Sequence, residues 1–238
     1  MKALIAKVIK KAGFEVRRYK PQWSDEARLK CLLELYNIDL VLDVGANIGQ
    51  YAQTLRSIGY KGWIISFEPL SAAHAILLKR STNDPRWEVA PRMAIGDTDG
   101  EVTIHISGNS LSSSILEMLS THIKAAPGSQ YVGQETTPVK TLDSLWGSII
   151  PCDFKEVYLK LDVQGYEHRV IQGARKILKQ ARGIQTELSL VPLYDSQKLF
   201  NEMIEEMNQL GFHLHTIFPG FLDSETCRSL QIDGVFIR

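Results

Sequence analysis

The first place where chemistry is expected is a carboxylate just before a glycine-rich turn. The stretch Leu40–Gln50, LVLDVGANIGQ, is an apolar run interrupted by Asp43 and followed by Gly45, Asn47 and Gly49 at every second position. Glycine adopts the left-handed backbone that a tight turn demands and lets a ligand touch the main chain, and asparagine is the next most tolerant residue. The pattern predicts a buried parallel strand, a ligand-binding turn and a helix.

The spacing of this turn discriminates between nucleotide cofactors. A dinucleotide fingerprint runs G-x-G-x-x-G and sets a pyrophosphate on the helix N-terminus. Here the pattern is D-x-G-x-N-x-G, and Asp43 would repel a pyrophosphate but suits a ligand whose near end carries an ammonium or sulfonium charge. S-adenosylmethionine is such a ligand. We therefore expect Asp43, Gly45, Asn47 and Gly49 to hold its methionine end.

A second carboxylate follows the next apolar run. Residues 63–67, WIISF, lead into Glu68, and an acidic residue about 20 positions after a glycine turn is where nucleotide folds bind the ribose hydroxyls. Glu68 is therefore predicted to bind the ribose of the cofactor. A glycine-rich turn alone is a weak signal, and the carboxylate in this position strengthens it.

The adenine pocket is expected downstream of a third strand, which we predict at residues 87–95. In related cofactor folds the loop after this strand meets the adenine, so Met93, Ala94 and Asp97 are candidates for that pocket. Asp97 belongs to the sequence GDTDG at residues 96–100. Aspartate and glycine residues also favour a simple hairpin turn, which is the alternative interpretation of this sequence.

Residues 157–163, VYLKLDV, predict another parallel strand, with Asp162 near its carboxyl end. Open α/β sheets bind ligands outside the carboxyl ends of their strands, beside the first strand. Asp162 should therefore face the same crevice as Asp43. The alternative is a structural salt bridge, either to Lys160 on the same strand face or to Arg169.

Three carboxylates are candidates for a catalytic step. Asp162 is the first candidate for positioning an acceptor or removing its proton, and Glu167 and Glu187 follow it. A carboxylate is a weak base for an alcohol, so a raised pKa or a metal ion would help, and the sequence shows neither. We predict no metal site, because His213 and His215 lack an evident third ligand and are interpreted as structural.

Four segments occur in an order that resembles a known family. DVGANIGQYA, SFEP, VKTLDSL and LKLDVQGYEHRVIQGA follow one another, as in FkbM-type S-adenosylmethionine-dependent methyltransferases, to which the chain is similar from roughly residue 39 to the C-terminus. The block LKLDVQGYE, with the V-x-x-G-A that follows it, is the most specific part. The family's usual acidic residue in D-V-E-G is Gln164 here, so a role that needs a carboxylate at this position does not transfer.

The resemblance implies a Rossmann-like class I methyltransferase fold, an α/β architecture with a mostly parallel twisted sheet and helices on both faces. It also implies S-adenosyl-L-methionine as the cofactor and O-methylation of a hydroxyl, often on a sugar or polyketide. From the sequence pattern we add an antiparallel C-terminal strand at residues 232–237. Two alternatives stay open: an NAD-dependent oxidoreductase, whose fingerprint and Tyr-x-x-x-Lys relay are not found, and a catalytically silent binding module on the same fold.

Length and composition are those of an ordinary α/β protein. The 238 residues suffice for one domain at residues 37–238 with an N-terminal helical extension at residues 1–36. Lys and Arg total 27, as do Asp and Glu, so we expect a small-molecule or glycan acceptor and no nucleic acid. Cys31, Cys152 and Cys227 lie far apart, which favours free thiols in a reducing cytoplasm. We see no apolar run near the roughly 20 residues of a membrane span and no signal-peptide pattern.

Residues 1–19 predict a basic amphipathic helix, because apolar residues recur at helical spacing and lysines and arginines occupy much of the remainder. Such a helix could make weak contact with an anionic membrane surface, near a lipid-linked acceptor. We favour a helix packed on the domain, because the apolar face is short and lacks Trp or Phe. A second helix is predicted at residues 24–36.

Residues 107–133 are the longest stretch without a clear sheet signal, and they include the run NSLSSS at residues 109–114. Long loops in compact domains are often functional, and this one lies between strands whose ends should face the cofactor. We predict a lid or an acceptor-binding loop and assign no single serine. The remaining predicted elements are helices at residues 48–58 and 196–210, a helix from residue 71 to the stop at residues 83–85, and strands at residues 183–188 and 212–218.

Overall fold

The computed structural model of the protein describes residue 7 and residues 9–238. In chain order its main elements are α1 (Asp25–Leu35), β1 (Leu40–Val44), α2 (Gln50–Ser57), β2 (Trp63–Phe67), α3 (Ser71–Ser81), β3 (Trp87–Val89), β4 (Ala94–Ile95), β5 (Gly100–Ser107), α4 (Ser120–Ala125), β6 (Tyr131–Lys140), α5 (Leu142–Leu145), β7 (Val157–Leu161), α6 (Glu167–Gln172), β8 (Ala181–Ser189), α7 (Phe200–Gln209), β9 (His213–Pro219), β10 (Leu222–Asp223), β11 (Arg228–Ser229) and β12 (Gln231–Ile237).

A seven-stranded sheet forms the centre of the fold, in the order β3-β2-β1-β7-β8-β12-β9. Within this sheet, the neighbouring strands β3, β2, β1, β7 and β8 pair in parallel. β12 runs antiparallel to both β8 and β9. The strand order reverses at β1, which has β2 on one side and β7 on the other. The carboxyl ends of these strands therefore border the crevice in which open α/β sheets bind ligands. The predicted mostly parallel sheet with an antiparallel C-terminal strand is confirmed.

Both faces of this sheet are buried, as its apolar strands require. In β1, Leu40, Leu42 and Val44 contact one apolar cluster, and Val41 contacts the other. α6 and α7 pack on the first side of the sheet, and α1 and α2 pack on the second. Helices therefore cover both faces, as the predicted fold requires. Asp43 is the polar residue of β1, and it is buried with its neighbours.

A second sheet has three strands in the order β4-β6-β5. The single strand predicted at residues 87–95 is wrong, because β3 joins the central sheet and β4 joins this one. Pro91 lies between them, and proline has no backbone N–H to continue a ladder. The hairpin interpretation of residues 96–100 is also wrong. β4 pairs in parallel with β6, whereas β5 pairs antiparallel with β6.

Part of the helix predicted at residues 1–19 falls on residues 1–6 and 8, which lie outside the described residues. Residues 9–11 are helical. The chain then leaves the helix at Gly13, whose φ of 85° is the left-handed conformation that commonly ends helices. The predicted continuation to residue 19 is therefore wrong. Over the described residues, the helices are too short or too polar to cross a bilayer.

The other predicted helices and strands are present with shifted ends. One such shift is at α7, which begins at Phe200 rather than at residue 196. Ser196 has a φ of 57°, a left-handed value that is incompatible with a continuous helix. The side-chain oxygen of Gln197 accepts hydrogen bonds from the backbone N–H groups of Leu193 and Tyr194, so this segment forms a turn before the helix.

Candidate active site

The turn between β1 and α2 contains three left-handed residues. Gly45, Asn47 and Gly49 have φ values of 81°, 46° and 89°, as their alternate spacing predicted. The backbone N–H of Gly45 donates to the carbonyl oxygen of Phe67 at the end of β2. A Cβ at Gly45 would overlap the carbonyl oxygen of Asp162, which follows β7. The turn is therefore enclosed between two neighbouring strands, and only glycine fits at its first position.

Glu68 stabilises the middle of this turn. Its Oε2 accepts a hydrogen bond from the backbone N–H of Asn47 at 2.7 Å, and its Oε1 accepts one from the backbone N–H of Leu70 at 2.9 Å. Glu68 is only 4% exposed. This burial raises the pKa of its carboxyl to about 7, against the two backbone hydrogen bonds, which lower it. Because a carboxylate accepts about four hydrogen bonds, Glu68 can stabilise the turn and bind a hydroxyl at the same time.

A cavity of about 650 Å³, here called the first cavity, opens at the carboxyl ends of β1, β2 and β7. The described residues in its wall include two carboxylates and no lysine or arginine. The structure brings together in this wall six of the predicted site residues: Gly45, Asn47, Glu68, Met93, Ala94 and Asp162.

Three predicted cofactor residues lie outside the wall of the first cavity: Asp97, Gly49 and Asp43, of which Asp43 is described below. Asp97 accepts a hydrogen bond from Arg169 at 2.9 Å, an ion pair that connects the β4–β5 turn to α6. The structure thus separates Asp97 from the predicted adenine pocket. It also excludes the alternative partner for Asp162, since Arg169 pairs with Asp97 instead. Gly49 begins α2, where a Cβ would lie 2.8 Å from side-chain atoms of both Leu77 and Trp87, so its role is to let the helix pack closely.

Asp162 is held from two sides. Lys160 lies with its Nζ 3.4 Å from Oδ2 of Asp162. Gln164 donates from its Nε2 to Oδ1 of Asp162 at 2.9 Å and to Oε2 of Glu187 at 2.8 Å. The hydroxyl of Tyr194 donates to Oε1 of Gln164 at 2.8 Å, which places the amide nitrogen toward the two carboxyl groups. Gln164 thus joins Asp162 to Glu187, a link that the sequence did not predict.

The two other predicted catalytic carboxylates support the turn after β7 rather than line the first cavity. Glu167 accepts hydrogen bonds at 3.1 Å from the backbone N–H groups of Val163 and Gly165. Burial raises the pKa of Glu167 to about 7. Burial, together with the nearby Asp162 and Glu167, raises the pKa of Glu187 well above its ordinary value. Both groups therefore bind protons more tightly than a solvated carboxylate does.

A second cavity of about 850 Å³ lies beside the first, between α2 and the central sheet. Gly45, Asn47 and Asp162 line both cavities. Asp43 lines the second cavity, and burial raises the pKa of its carboxyl to about 7 although the nearby Lys160 lowers it. The hydroxyl of Ser66 donates to Oδ2 of Asp43 at 3.2 Å. Asp43 therefore lines the second cavity, whereas Glu68 lines the first.

The predicted lid or acceptor-binding loop contributes to the site through its serines. Ser110, Ser113 and Ser114 line the first cavity, and the side-chain amide of Asn47 donates to the hydroxyl of Ser110 at 3.3 Å. Ser114 donates to the carbonyl oxygen of Gln164 at 2.7 Å. The serine-rich composition pointed to this loop, but the positions of single serines depend on contacts with residues far away in the sequence.

The described residues hold no group of three or more His, Cys, Asp and Glu side chains arranged for a metal ion. Lysine, glutamine and tyrosine side chains surround the carboxylates of the second cavity instead. The site is therefore built from carboxylates, amides and one ammonium group.

Comparison with known proteins points to one family. The profile of the family described as methyltransferase FkbM domain matches residues 43–214. The sequence is 28% identical over 187 residues to the 2-O-methyltransferase NoeI of Sinorhizobium fredii (strain NBRC 101917 / NGR234), a match that covers 76% of this chain and 74% of that protein. The fold resembles that of a candidate S-adenosylmethionine-dependent methyltransferase from Listeria monocytogenes, with a TM-score of 0.51 and 12% identity over 89% of this chain and 96% of that chain. The similarity to the Listeria monocytogenes protein concerns the fold alone.

Proposed function

Because this chain belongs to the FkbM methyltransferase family and so is an S-adenosylmethionine-dependent methyltransferase, we propose that it methylates a hydroxyl oxygen of a sugar, glycan or other secondary metabolite. The similarity to a 2-O-methyltransferase supports oxygen as the accepting atom. The polar second cavity beside the first also supports a hydroxylated acceptor.

One observation carries the proposal: the first cavity combines a buried carboxylate with a wall that has no lysine or arginine among its described residues. Glu68 suits the two hydroxyls of a ribose. Met93 and Ala94 offer apolar surface to an adenine. A diphosphate would find no cationic side chain in this wall and would face Glu68 and Asp162. The residues present therefore fit S-adenosylmethionine and disfavour a nicotinamide dinucleotide.

We assign the methionine end of the cofactor to the glycine turn. Gly45 and Asn47 lie between the two cavities, and Asp43 lies in the wall of the second. The carboxylate of Asp43 is suited to an ammonium group, and a nearby cation would favour its charged form. Gly49 acts only by allowing α2 to start at this place.

When bound, the cofactor supplies a methyl group made electrophilic by the sulfonium centre. The chain must then position the acceptor oxygen and take its proton. We propose Asp162 for both tasks, because it lies where the two cavities meet and its side chain is 40% exposed. Lys160 and Gln164 each contact one of its oxygens, which fixes the direction of the carboxylate. Glu167 and Glu187 are assigned to support of this arrangement.

A thermal-shift titration tests the cofactor site. S-adenosylhomocysteine should raise the melting temperature in a saturable way, and NAD at the same concentrations should not. Stabilisation by NAD without stabilisation by S-adenosylhomocysteine would contradict the proposal. Transfer of a labelled methyl group to a panel of hydroxylated compounds then separates an enzyme from a silent binding module. Transfer to nitrogen or carbon acceptors, with none to oxygen, would also contradict it.

A further inference from the structure

The second cavity has a wall built by four neighbouring strands. Asp43 lies in β1, Lys160 in β7, Gln185 in β8 and Asp233 in β12, and all four side chains line the cavity. Asp43 lies opposite Lys160 in the strand register, and Lys160 lies opposite Gln185. Polar side chains thus replace apolar ones across four strands on one face of the sheet. Burying such a row of polar side chains costs free energy unless the side chains bind polar groups.

Hydrogen bonds orient this row before any ligand arrives. Gln185 donates from its Nε2 to Oδ2 of Asp233 at 2.7 Å. Its Oε1 accepts hydrogen bonds from the hydroxyls of Tyr51 at 2.9 Å and Tyr158 at 3.2 Å. The amide of Gln185 is therefore fixed with its nitrogen toward the carboxylate. The ring of Tyr51, on α2, lies 5.8 Å from the Nζ of Lys160 and closes the opposite wall.

The charges of the wall favour some ligands over others. Asp43, Asp162 and Asp233 face one cation, Lys160, so the cavity is negative when these groups are ionised. The cation is already engaged, because its Nζ lies 3.4 Å from Asp162 and 3.3 Å from the carbonyl oxygen of Leu161. A phosphate or carboxylate would meet like charge here. Carboxylates and amides are good partners for neutral hydroxyl and ammonium groups.

We propose that the part of the second cavity lined by Tyr51, Gln185 and Asp233 binds the methyl acceptor, whereas Asp43 and the glycine turn face the cofactor; Gln185 and Asp233 lie two and three strands from Asp43. The bound part of the acceptor is a hydroxyl-rich unit without negative charge, such as a neutral or amino-substituted sugar ring. This inference rests on the proposed function, since the acceptor hydroxyl must reach Asp162 at the junction with the first cavity. Tyr51, Gln185 and Asp233 are then residues of acceptor specificity. They bind the hydroxyls of the sugar and exclude its phosphorylated or oxidised forms.

Binding to small probes tests the proposal without knowledge of the natural acceptor. The full chain is saturated with S-adenosylhomocysteine, and saturation-transfer NMR is recorded with methyl glucoside, glucosamine, glucose 6-phosphate and glucuronic acid. We expect binding of the first two probes and at least about tenfold weaker binding of the two anions, because one unfavourable charge contact is enough for such a factor. No binding of the neutral and amino probes, or tighter binding of the anions, would overturn the proposal. S-adenosylhomocysteine would still bind in that case, so the proposed function itself would stand.

Two conservative variants locate the binding. Tyr51→Phe and Asp233→Asn each remove one hydrogen-bonding group, and we expect sugar binding to weaken about three- to tenfold in each. The affinity for S-adenosylhomocysteine should stay within about twofold, because these residues lie away from the first cavity. Glu101→Gln, at an exposed position in the second sheet, is the matched control and should bind all probes as the wild type does. Weaker binding of S-adenosylhomocysteine with unchanged sugar binding would assign the cavity to the cofactor and overturn the proposal.

Discussion

The Nζ of Lys160 lies 3.4 Å from Oδ2 of Asp162, so the ion pair that the sequence left as an alternative role for Asp162 is formed. Lys160 is 4% exposed, whereas the side chain of Asp162 is 40% exposed. Burial lowers the pKa of Lys160, but the surrounding carboxylates, Asp162 first among them, raise it above its ordinary value. The cation therefore holds the carboxylate from the protein side and leaves it open to the cavities. An ion pair and a role in proton transfer are compatible in this arrangement.

Asp162→Asn should separate binding from turnover. The amide keeps the size of the side chain but cannot take a proton, so we expect kcat to fall at least about 100-fold. The dissociation constant of S-adenosylhomocysteine should change less than about threefold, since the glycine turn and Glu68 stay in place. Asp97→Asn is the matched control, because Asp97 is also ion-paired but lies outside the first cavity. Normal turnover by Asp162→Asn would remove Asp162 from its proposed role.

Lys160→Met should destabilise the fold. Removing the ammonium breaks the ion pair with Asp162 and leaves the buried Asp43 without the nearby cation, and an uncompensated buried charge costs about 3 to 5 kcal/mol. The loss should be smaller at pH 6 than at pH 8, because Asp43, with a pKa of about 7, can take up a proton. Urea unfolding of the wild type and the variant at both pH values measures this loss of unfolding free energy. Lys140→Met is the control: Lys140 pairs with Asp99 at 3.0 Å on the surface, where a pair contributes about 0 to 1 kcal/mol. Equal losses in the two variants would contradict the buried role of Lys160.

Glu68→Gln and Glu167→Gln form a second matched pair. Each carboxyl accepts two backbone hydrogen bonds and has a pKa raised to about 7 by burial. An amide cannot accept through its nitrogen, so Glu68→Gln, which loses one of the two accepting oxygens in use, should cost about 1 to 3 kcal/mol of unfolding free energy. Glu167 accepts both hydrogen bonds through Oε1, which the amide oxygen can replace, so Glu167→Gln should cost less. Only Glu68 lines the first cavity, and only Glu68→Gln should weaken S-adenosylhomocysteine binding, by about tenfold or more. Calorimetric titration measures the affinity of both variants for S-adenosylhomocysteine. Equal weakening in both would argue against Glu68 as the ribose ligand.

The stability of the ligand-free protein should fall as the pH rises from 6 to 8. Burial raises the pKa of Asp43 from 3.8 and that of Glu68 from 4.5, in both cases to about 7. The folded state therefore binds these two protons, and that of the buried Glu167, whose pKa is also raised to about 7, more tightly than the unfolded state does. Their stabilising contribution is complete below about pH 4 and is lost as the pH passes 7. Between pH 6 and pH 8 we expect a loss of about 1.4 kcal/mol for each group, measured by urea unfolding at constant ionic strength.

The raised pKa of Asp43 also predicts proton release on binding. A cationic ligand beside Asp43 favours the carboxylate, so S-adenosylhomocysteine, through its ammonium group, should bind more tightly at pH 8 than at pH 6. Calorimetry at pH 7 in two buffers of different ionisation enthalpy measures the protons released. Proton uptake, or a stability that increases from pH 6 to pH 8, would show that these carboxyl groups are not protonated in the folded protein.

Gly45→Ala should abolish cofactor binding. The left-handed φ of 81° disfavours alanine, and its Cβ would overlap the carbonyl oxygen of Asp162. We expect a loss of about 3 kcal/mol or more of unfolding free energy, or failure to fold. Gly100→Ala is the control, because a Cβ there has no neighbour within 4 Å and φ is not left-handed. This variant should change the unfolding free energy by less than about 0.5 kcal/mol. Full binding by Gly45→Ala would show that the turn moves freely away from β7.

Local chemistry was enough to predict the glycine turn and the position of Glu68 beside it. Left-handed backbone at Gly45, Asn47 and Gly49 follows from residue type and spacing. Glu68 follows because a parallel strand brings its carboxyl end to the same edge of the sheet as the turn. In both cases the residues are close in the sequence, because only one helix and one strand lie between the glycine turn and Glu68.

The contacts of Asp97 and Glu167 could not be predicted from residue type and spacing. The acidic turn at Asp97 is as compatible with an adenine contact as with an ion pair, and its partner Arg169 lies 72 residues away. Glu167 has the place of a first-turn helix residue, but its hydrogen bonds go back to Val163 and Gly165 in the turn before the helix. In both cases the direction of a side chain is decided by what packs around it.

The sequence by itself determined the family, the parallel sheet, the left-handed glycine turn and the carboxylate that follows the second strand. Only the tertiary structure decided that Asp43, Lys160, Gln185 and Asp233 share one cavity and that Gln164 connects Asp162 to Glu187. The reason is physical. Residue type and periodicity specify the conformation of a segment and the face on which a side chain lies. The distance between side chains on different strands depends on strand order and register, which come from the packing of the entire core.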